Sequence, residues 1–184
     1  GPDGFKLNDS LEEQIEAIIL DQSLPESHDV RIGKAYRIDD ATGRYIEFAK
    51  SSIGDQNLKG LKVVIDCAHG AGYFVGPLIF EELGAEVLKL GTSPDGYNIN
   101  EGVGSLHPEK AAELVKSTGA DLGVCLDGDA DRVIFVDGQG NVVSGDRILC
   151  LCAKALKASG KLRGDTLVST VMSNPGLPDA LAAN

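Results

Sequence analysis

Apolar residues recur at helical spacing over residues 10–20 (Leu11, Ile15, Ile18, Ile19), and Ser10 and Glu13 stand at the separation of a capping box. The spacing predicts an amphipathic helix that needs a surface to pack on. Residues 24–29 are polar and contain Pro25, which predicts a connector. Residues 30–38 alternate weakly, as in an edge strand or an extended linker, and residues 43–51 return to a helical pattern.

From Leu61 onward the pattern changes. Residues 61–67, Leu-Lys-Val-Val-Ile-Asp-Cys, read as a buried-strand run, closed by a turn at His69-Gly70-Ala71-Gly72. A helix over 73–83 ends at Gly84, and a strand follows over 86–90. A loop rich in glycine and asparagine leads to Pro108, suited to the first position of a helix over 108–117. Strands are expected over 120–126 and 132–137, the latter turning through Gly138-Gln139-Gly140-Asn141 into Val142-Val143 as a hairpin. A helix over 146–158 closes the unit. Strand and helix alternating in this order predict an α/β fold: three-layer α/β/α, with a mostly parallel sheet, right-handed crossovers and an antiparallel edge strand, its core spanning residues 43–160.

Two elements follow that cannot make a domain by themselves, a strand over 166–171 and a short helix over 175–183. An unsatisfied strand edge invites pairing, so residues 166–171 are expected to dock on their own sheet or to associate with another chain.

Composition narrows the classes of partner. The 184 residues are 42% hydrophobic and 24% charged, which suits a folded core rather than disorder. Lys and Arg number 17 against 28 Asp and Glu, a formal charge of −11 that repels nucleic acid and acidic membrane surfaces. A phosphate-bearing ligand would need a cation or a local arginine. Cys67, Cys125, Cys150 and Cys152 lie in apolar stretches without CxxC spacing, predicting reduced core thiols. No basic-then-apolar leader opens the sequence and no apolar run approaches the ~18 residues of a membrane helix, so a soluble, cytoplasmic protein is expected.

The chemistry concentrates in Asp127-Gly128-Asp129-Ala130-Asp131-Arg132. Carboxylates at i, i+2 and i+4 fall on one side of an extended segment, where like charges repel unless a cation lies among them. Hard oxygen donors suit Mg²⁺ or Ca²⁺, and the small Gly128 and Ala130 let the backbone bend and a bulky phosphate approach. A lone Asp-x-Asp reads as a solvated acidic turn; three at this spacing, directly after a buried strand, favour a divalent metal. A calcium-binding EF-hand would place Gly sixth and Glu twelfth from Asp127, and those positions hold Arg132 and Gly138. Arg132 can pair with Asp131 or face a phosphate beside the metal. Parallel strands over 61–67 and 120–126 would bring the 69–72 turn and the acidic loop into one crevice, at the sheet edge where α/β proteins bind ligands. His28, His69 and His107 are read as structural.

Asp127 to Arg132, followed by Val-Ile-Phe-Val-Asp and by Gly145-Asp146 at a helix start, resembles the α-D-phosphohexomutase family. The segments Asp95-Gly96-Tyr97-Asn98-Ile99-Asn100 and Gly104-Ser105-Leu106-His107-Pro108-Glu109 are similar to the bacterial branch acting on amino-sugar phosphates. The resemblance runs from about Asp3 to about Leu181. It implies that residues 1–42 are the tail of a first domain with its linker, 43–162 a second domain and 163–184 the opening of a third. It further implies that Asp127, Asp129 and Asp131 hold Mg²⁺, that Arg132 contacts the active-site phosphate, and that Lys6, in the surviving Gly4-Phe5-Lys6, serves proton transfer or phosphate contact. The family's phosphoserine motif, Ser-His-Asn-Pro, is not in this sequence, so the piece alone is expected to be inactive on the sugar phosphate substrate. Branches acting on mannose or glucose phosphates, or a non-catalytic binding domain on the same core, are the competing readings.

Overall fold

A computed structural model describes residues 1–21 and 33–182. The chain divides into two compact units, Gly1–Ile38 and Asp39–Asn184.

In the first unit, helix α1 spans Asp9–Leu20. Its N-cap is Asn8, whose side-chain oxygen accepts the Leu11 N–H at 3.0 Å, so the expected capping box is not used. Ser10 lies inside the helix and takes its bond from Gln14. No α1 residue is buried, and the apolar stripe remains exposed. Residues 33–38 carry no regular structure, contrary to the edge-strand reading; the connector over 24–29 and His28 lie outside the described residues.

The second unit is built on a five-stranded mixed sheet in the order β2-β1-β3-β4-β5. Its strands are β1 (Lys62–Asp66), β2 (Glu86–Leu90), β3 (Leu122–Leu126), β4 (Val133–Asp137) and β5 (Val142–Val143). β1 pairs in parallel with both β2 and β3, as the crossovers predicted. The antiparallel part differs in detail from a single edge strand: β4 is interior, antiparallel to β3, and the short β5 forms the edge. The reason is the length of the connections. Only the six-residue acidic loop joins β3 to β4, far too short for a parallel crossover, which needs a dozen or more residues. Asp137 closes the β4–β5 turn by accepting the Gln139 and Asn141 N–H groups.

Helices cover both faces. Alternation along β1 sends Val64 to one side, with Cys125, Val136 and the α4 residues Ala111 and Val115 (α4, Glu109–Thr118). It sends Val63, Ile65 and Cys67 to the other, where Phe80 of α3 (Val75–Glu82) packs and α2 (Ala41–Ser51) lies against α3. The three-layer reading therefore holds. Pro108 is the N-cap of α4 rather than its first residue, and Gly119 ends the helix in the left-handed conformation. Helix α5 (Gly145–Ala158) is capped by Ser144, whose side chain accepts the Arg147 N–H, and packs on α6 (Gly176–Ala182).

Residues 166–170 form no strand, correcting the expectation for 166–171. They join no ladder of the five-stranded sheet, and an extended segment without a neighbour gains no inter-strand hydrogen bonds. Val168, Val171 and Met172 are left almost fully exposed.

Burial separates the four thiols. Cys67 and Cys125 are fully enclosed, and desolvation, aided by the Asp66 charge, pushes both up to about 12. Protonated and covered, they should resist a thiol reagent at neutral pH. Cys150, half-buried, and Cys152, exposed, should react. Ellman titration is expected to count two fast thiols in the native chain and four in denaturant; four fast thiols without denaturant would contradict this core.

Candidate metal centre

The site forms where β3 ends. Its buried apolar run carries the chain to the sheet rim, and Asp127 is the first residue past it, only 3% exposed. The loop folds back at once: the Asp127 N–H donates to the Arg132 carbonyl and the Ala130 N–H to the Asp127 carbonyl. Ala130 adopts the left-handed conformation at φ 61°, uncommon outside glycine.

Both Asp127 oxygens are held. Oδ1 accepts the Arg132 backbone N–H at 3.0 Å, and Oδ2 accepts Arg132 Nε at 2.7 Å. Asp131 Oδ1 lies 3.5 Å from the same Nε, with both side chains about 70% exposed (70% and 73%). Ligand oxygens of Asp127, Asp129 and Asp131 all fall within 4.8 Å of one another. A carboxylate offers about four lone-pair directions, so the two hydrogen bonds leave Asp127 free positions for a cation. Three hard, anionic donors in this compass fit one Mg²⁺ or Ca²⁺ ion.

Charge within the loop is uneven. The Arg132 backbone N–H, supported by its guanidinium, holds Asp127 down to about 2 despite desolvation. Asp131 is raised, first by the adjoining Asp127 carboxylate and then by the charge of Asp129. The signs oppose. Asp127 binds its proton more weakly folded than unfolded, so its contribution to stability is present above the ordinary carboxylate range and is lost as pH falls towards 2. Asp131 binds its proton more tightly folded, so the metal-free fold loses stability as pH rises through its titration.

The expected crevice is present. The Ala71 N–H donates to the Gly128 carbonyl at 2.8 Å, joining the 69–72 turn to the acidic loop. His69 Nδ1 accepts the Ser93 N–H at 3.1 Å, the structural role expected of it. Ile99 and Asn100 cover Gly128 from the third side. Ala68, His69 and Asn100 join Ala130 at positive φ, so four strained non-glycine residues gather in these loops. Lys6 is exposed in the first unit, ahead of α1.

The sequence reading passed over two residues here. Asp66, counted as part of a buried strand, is fully enclosed with both oxygens hydrogen-bonded. Its signal was available: a carboxylate ending an otherwise apolar run must meet donors. Asn100 has a buried side-chain oxygen without a hydrogen-bond partner, which nothing in its sequence context indicated.

Comparison with known proteins identifies the family. The family model "Phosphoglucomutase/phosphomannomutase, alpha/beta/alpha domain II" matches residues 43–140, and the domain III model matches residues 144–184. Phosphoglucosamine mutase of Paracoccus denitrificans is 55% identical over 178 residues, 96% of this chain and 40% of that protein. The Citrifermentans bemidjiense phosphoglucosamine mutase is 56% identical over 97% of this chain and 40% of its own length. This chain thus spans about 40% of the curated relatives it matches. Among solved structures, a phosphoglucomutase/phosphomannomutase family protein from Burkholderia thailandensis superposes with a TM-score of 0.62 at 28% identity, covering 84% of this chain and 33% of that one. On the match over residues 43–140, the chain belongs to the phosphoglucomutase/phosphomannomutase family.

Proposed function

We propose that this chain is the metal-binding portion of a phosphoglucosamine mutase. Such an enzyme interconverts glucosamine 6-phosphate and glucosamine 1-phosphate through a phosphoserine and a bisphosphate intermediate. The observation that carries the reading is the convergence of Asp127, Asp129 and Asp131 at the end of β3, in a chain 55% identical to a protein of that name. The three aspartates would hold Mg²⁺, and the ion, when bound, neutralises charge on a transferring phosphoryl group.

The chain's own residues have distinct parts. Asp127 orients Arg132 through two hydrogen bonds, which leaves the rest of an exposed guanidinium able to meet a phosphate. The 69–72 turn and Ile99 back the loop and keep Gly128 from solvent on that side. Lys6 is assigned to phosphate contact or proton transfer on the family's pattern. The setting is cytoplasmic; among the described residues no helix is long and apolar enough to cross a membrane.

The 184 residues alone are expected to turn over nothing, being about 40% of the relatives' length. Two assays test this. Mg²⁺ titrated into the chain should shift the amide resonances of residues 127–132, and a coupled assay should find no conversion of glucosamine 6-phosphate by the pure chain. Silence in the titration, or measurable turnover, would refute the proposal. In the longer enzyme, preference for mannose or glucose phosphates over the amino sugar would move the assignment to another branch. Tight association with a partner protein that survives Asp127→Asn and Asp129→Asn would instead mark a binding domain.

Self-association is also proposed for the isolated chain. Unpaired residues 166–170 run into the exposed Val171 and Met172, a segment open to strand pairing. Light scattering should show a concentration-dependent dimer that Val168→Lys weakens; a strict monomer at all concentrations would exclude it.

A further inference from the structure

Asp66 is a buried carboxylate outside the set that would hold the ion. It ends β1 at 0% exposure, and both oxygens accept backbone N–H groups: Oδ1 from Ala68 at 3.0 Å and Oδ2 from Gly104 at 2.7 Å. Enclosing an ionisable group is costly unless hydrogen bonds compensate it, and here the compensation comes from two backbone N–H groups 36 residues apart in the chain.

What they hold are loops that frame the acidic segment. The Ala68 bond fixes the start of the 67–72 turn, whose Ala71 N–H reaches Gly128 O. The Ala68 carbonyl in turn accepts the Asn100 N–H at 2.8 Å, seating the side chains of Ile99 and Asn100 over Gly128. The Gly104 bond fixes the other end of that loop, where the Ser105 N–H donates at 2.9 Å to Leu126 O, one residue before Asp127. Tolerances are small. A Cβ on Gly104 would come within 2.5 Å of the Ala68 Cβ and 2.7 Å of Leu126 O, and one on Gly91 within 2.5 Å of Asp66 Oδ1. Residues 126–128 are therefore gripped from two sides by loops that share one anchor.

We propose that Asp66 is a positioning residue for the metal centre: by tying Ala68 and Gly104 to one carboxylate it sets the backbone from which Asp127, Asp129 and Asp131 converge, without touching the ion. The inference rests on the metal reading above.

Asp66→Asn tests it, because the new NH₂ must face the N–H of Ala68 or of Gly104, donor against donor. Mg²⁺ affinity, read from the amide shifts of Gly128 and Ala130 while the variant is folded, is expected to fall about tenfold, the low end for a supporting residue around a metal. Val115→Ala, a core truncation in α4, should lower stability and leave that affinity within about twofold of wild type, since Val115 packs in the core away from these loops. The unaltered chain supplies an independent readout: saturating Mg²⁺ should slow hydrogen exchange at the Ala68 and Gly104 amides. A folded Asp66→Asn protein with wild-type affinity overturns the proposal, as does exchange at those amides indifferent to Mg²⁺. Should Asp66→Asn not fold, the exchange measurement decides. A wild-type chain that binds no Mg²⁺ removes the metal reading and this inference together, whereas wild-type binding shared equally by the variant removes the inference alone.

Discussion

Asp131→Asn is expected to raise the melting temperature of the metal-free chain and at the same time to weaken Mg²⁺ binding on the order of a hundredfold, the upper end of what an outer-shell change commonly costs. The two effects share one cause. Asp131 is raised because Asp127 and Asp129 make its surroundings hostile to negative charge, so removing that charge relieves the fold. The ion pair with Arg132 that the substitution removes, 3.5 Å long between largely exposed groups, is worth little against this. With the ion present the same charge is a ligand. At tenfold excess over its dissociation constant, Mg²⁺ should raise the wild-type melting temperature by roughly 3–6 °C. The variant should show no such rise.

Acidity should reproduce the substitution in part. Asp131 keeps its proton to higher pH than Asp127, so the Mg²⁺-dependent rise should grow as pH climbs above the ordinary carboxylate range and that proton leaves. Thermal melts with and without Mg²⁺ across this range decide the matter. A variant less stable than wild type without metal, or one that keeps the full Mg²⁺ response, would show the loop to be an ordinary solvated turn.

The acidic loop was legible because its chemistry is local. Three carboxylates at alternate positions after a buried strand carry their own electrostatic demand, and the short return to Val133 leaves little freedom in where they point. The parallel strands β1, β2 and β3 were legible for a similar reason, as apolar runs separated by helical spacing. What stayed hidden depends on partners distant in sequence. Asp66 meets Gly104 across 38 residues, a pairing no local pattern encodes. The 166–171 segment has strand-like residues but no ladder, since propensity expresses itself only where a neighbouring edge is available. At α1 the capping signal was ambiguous: Asn8 and Ser10 are both capable N-caps, and the structure uses the earlier one.

Gly70→Ala should be among the most damaging single-methyl changes in the molecule. Gly70 is extended, at φ −101°, so its backbone would accept any residue; what forbids a side chain is space. A Cβ there would fall on the Gly128 carbonyl oxygen and within 2.7 Å of that residue's carbonyl carbon and Cα. These are backbone atoms of the acidic loop, with no flexible end to swing aside. Relief requires the 69–72 turn to withdraw, which breaks the Ala71 N–H to Gly128 O bond and frees the loop that carries the three aspartates. The expected cost is about 3 kcal/mol, at the upper end of ordinary overpacking. In a chain of this size that lowers the melting temperature by roughly 10 °C. Mg²⁺ binding should fall with it, since the carboxylates lose the backbone that aims them. Gly145→Ala, in the first turn of α5 with nothing within 4 Å of its added methyl, should instead be neutral or slightly stabilising. Equal melting temperatures for the two variants would mean that the turn and the acidic loop do not meet in solution, and the crevice would have to be built some other way.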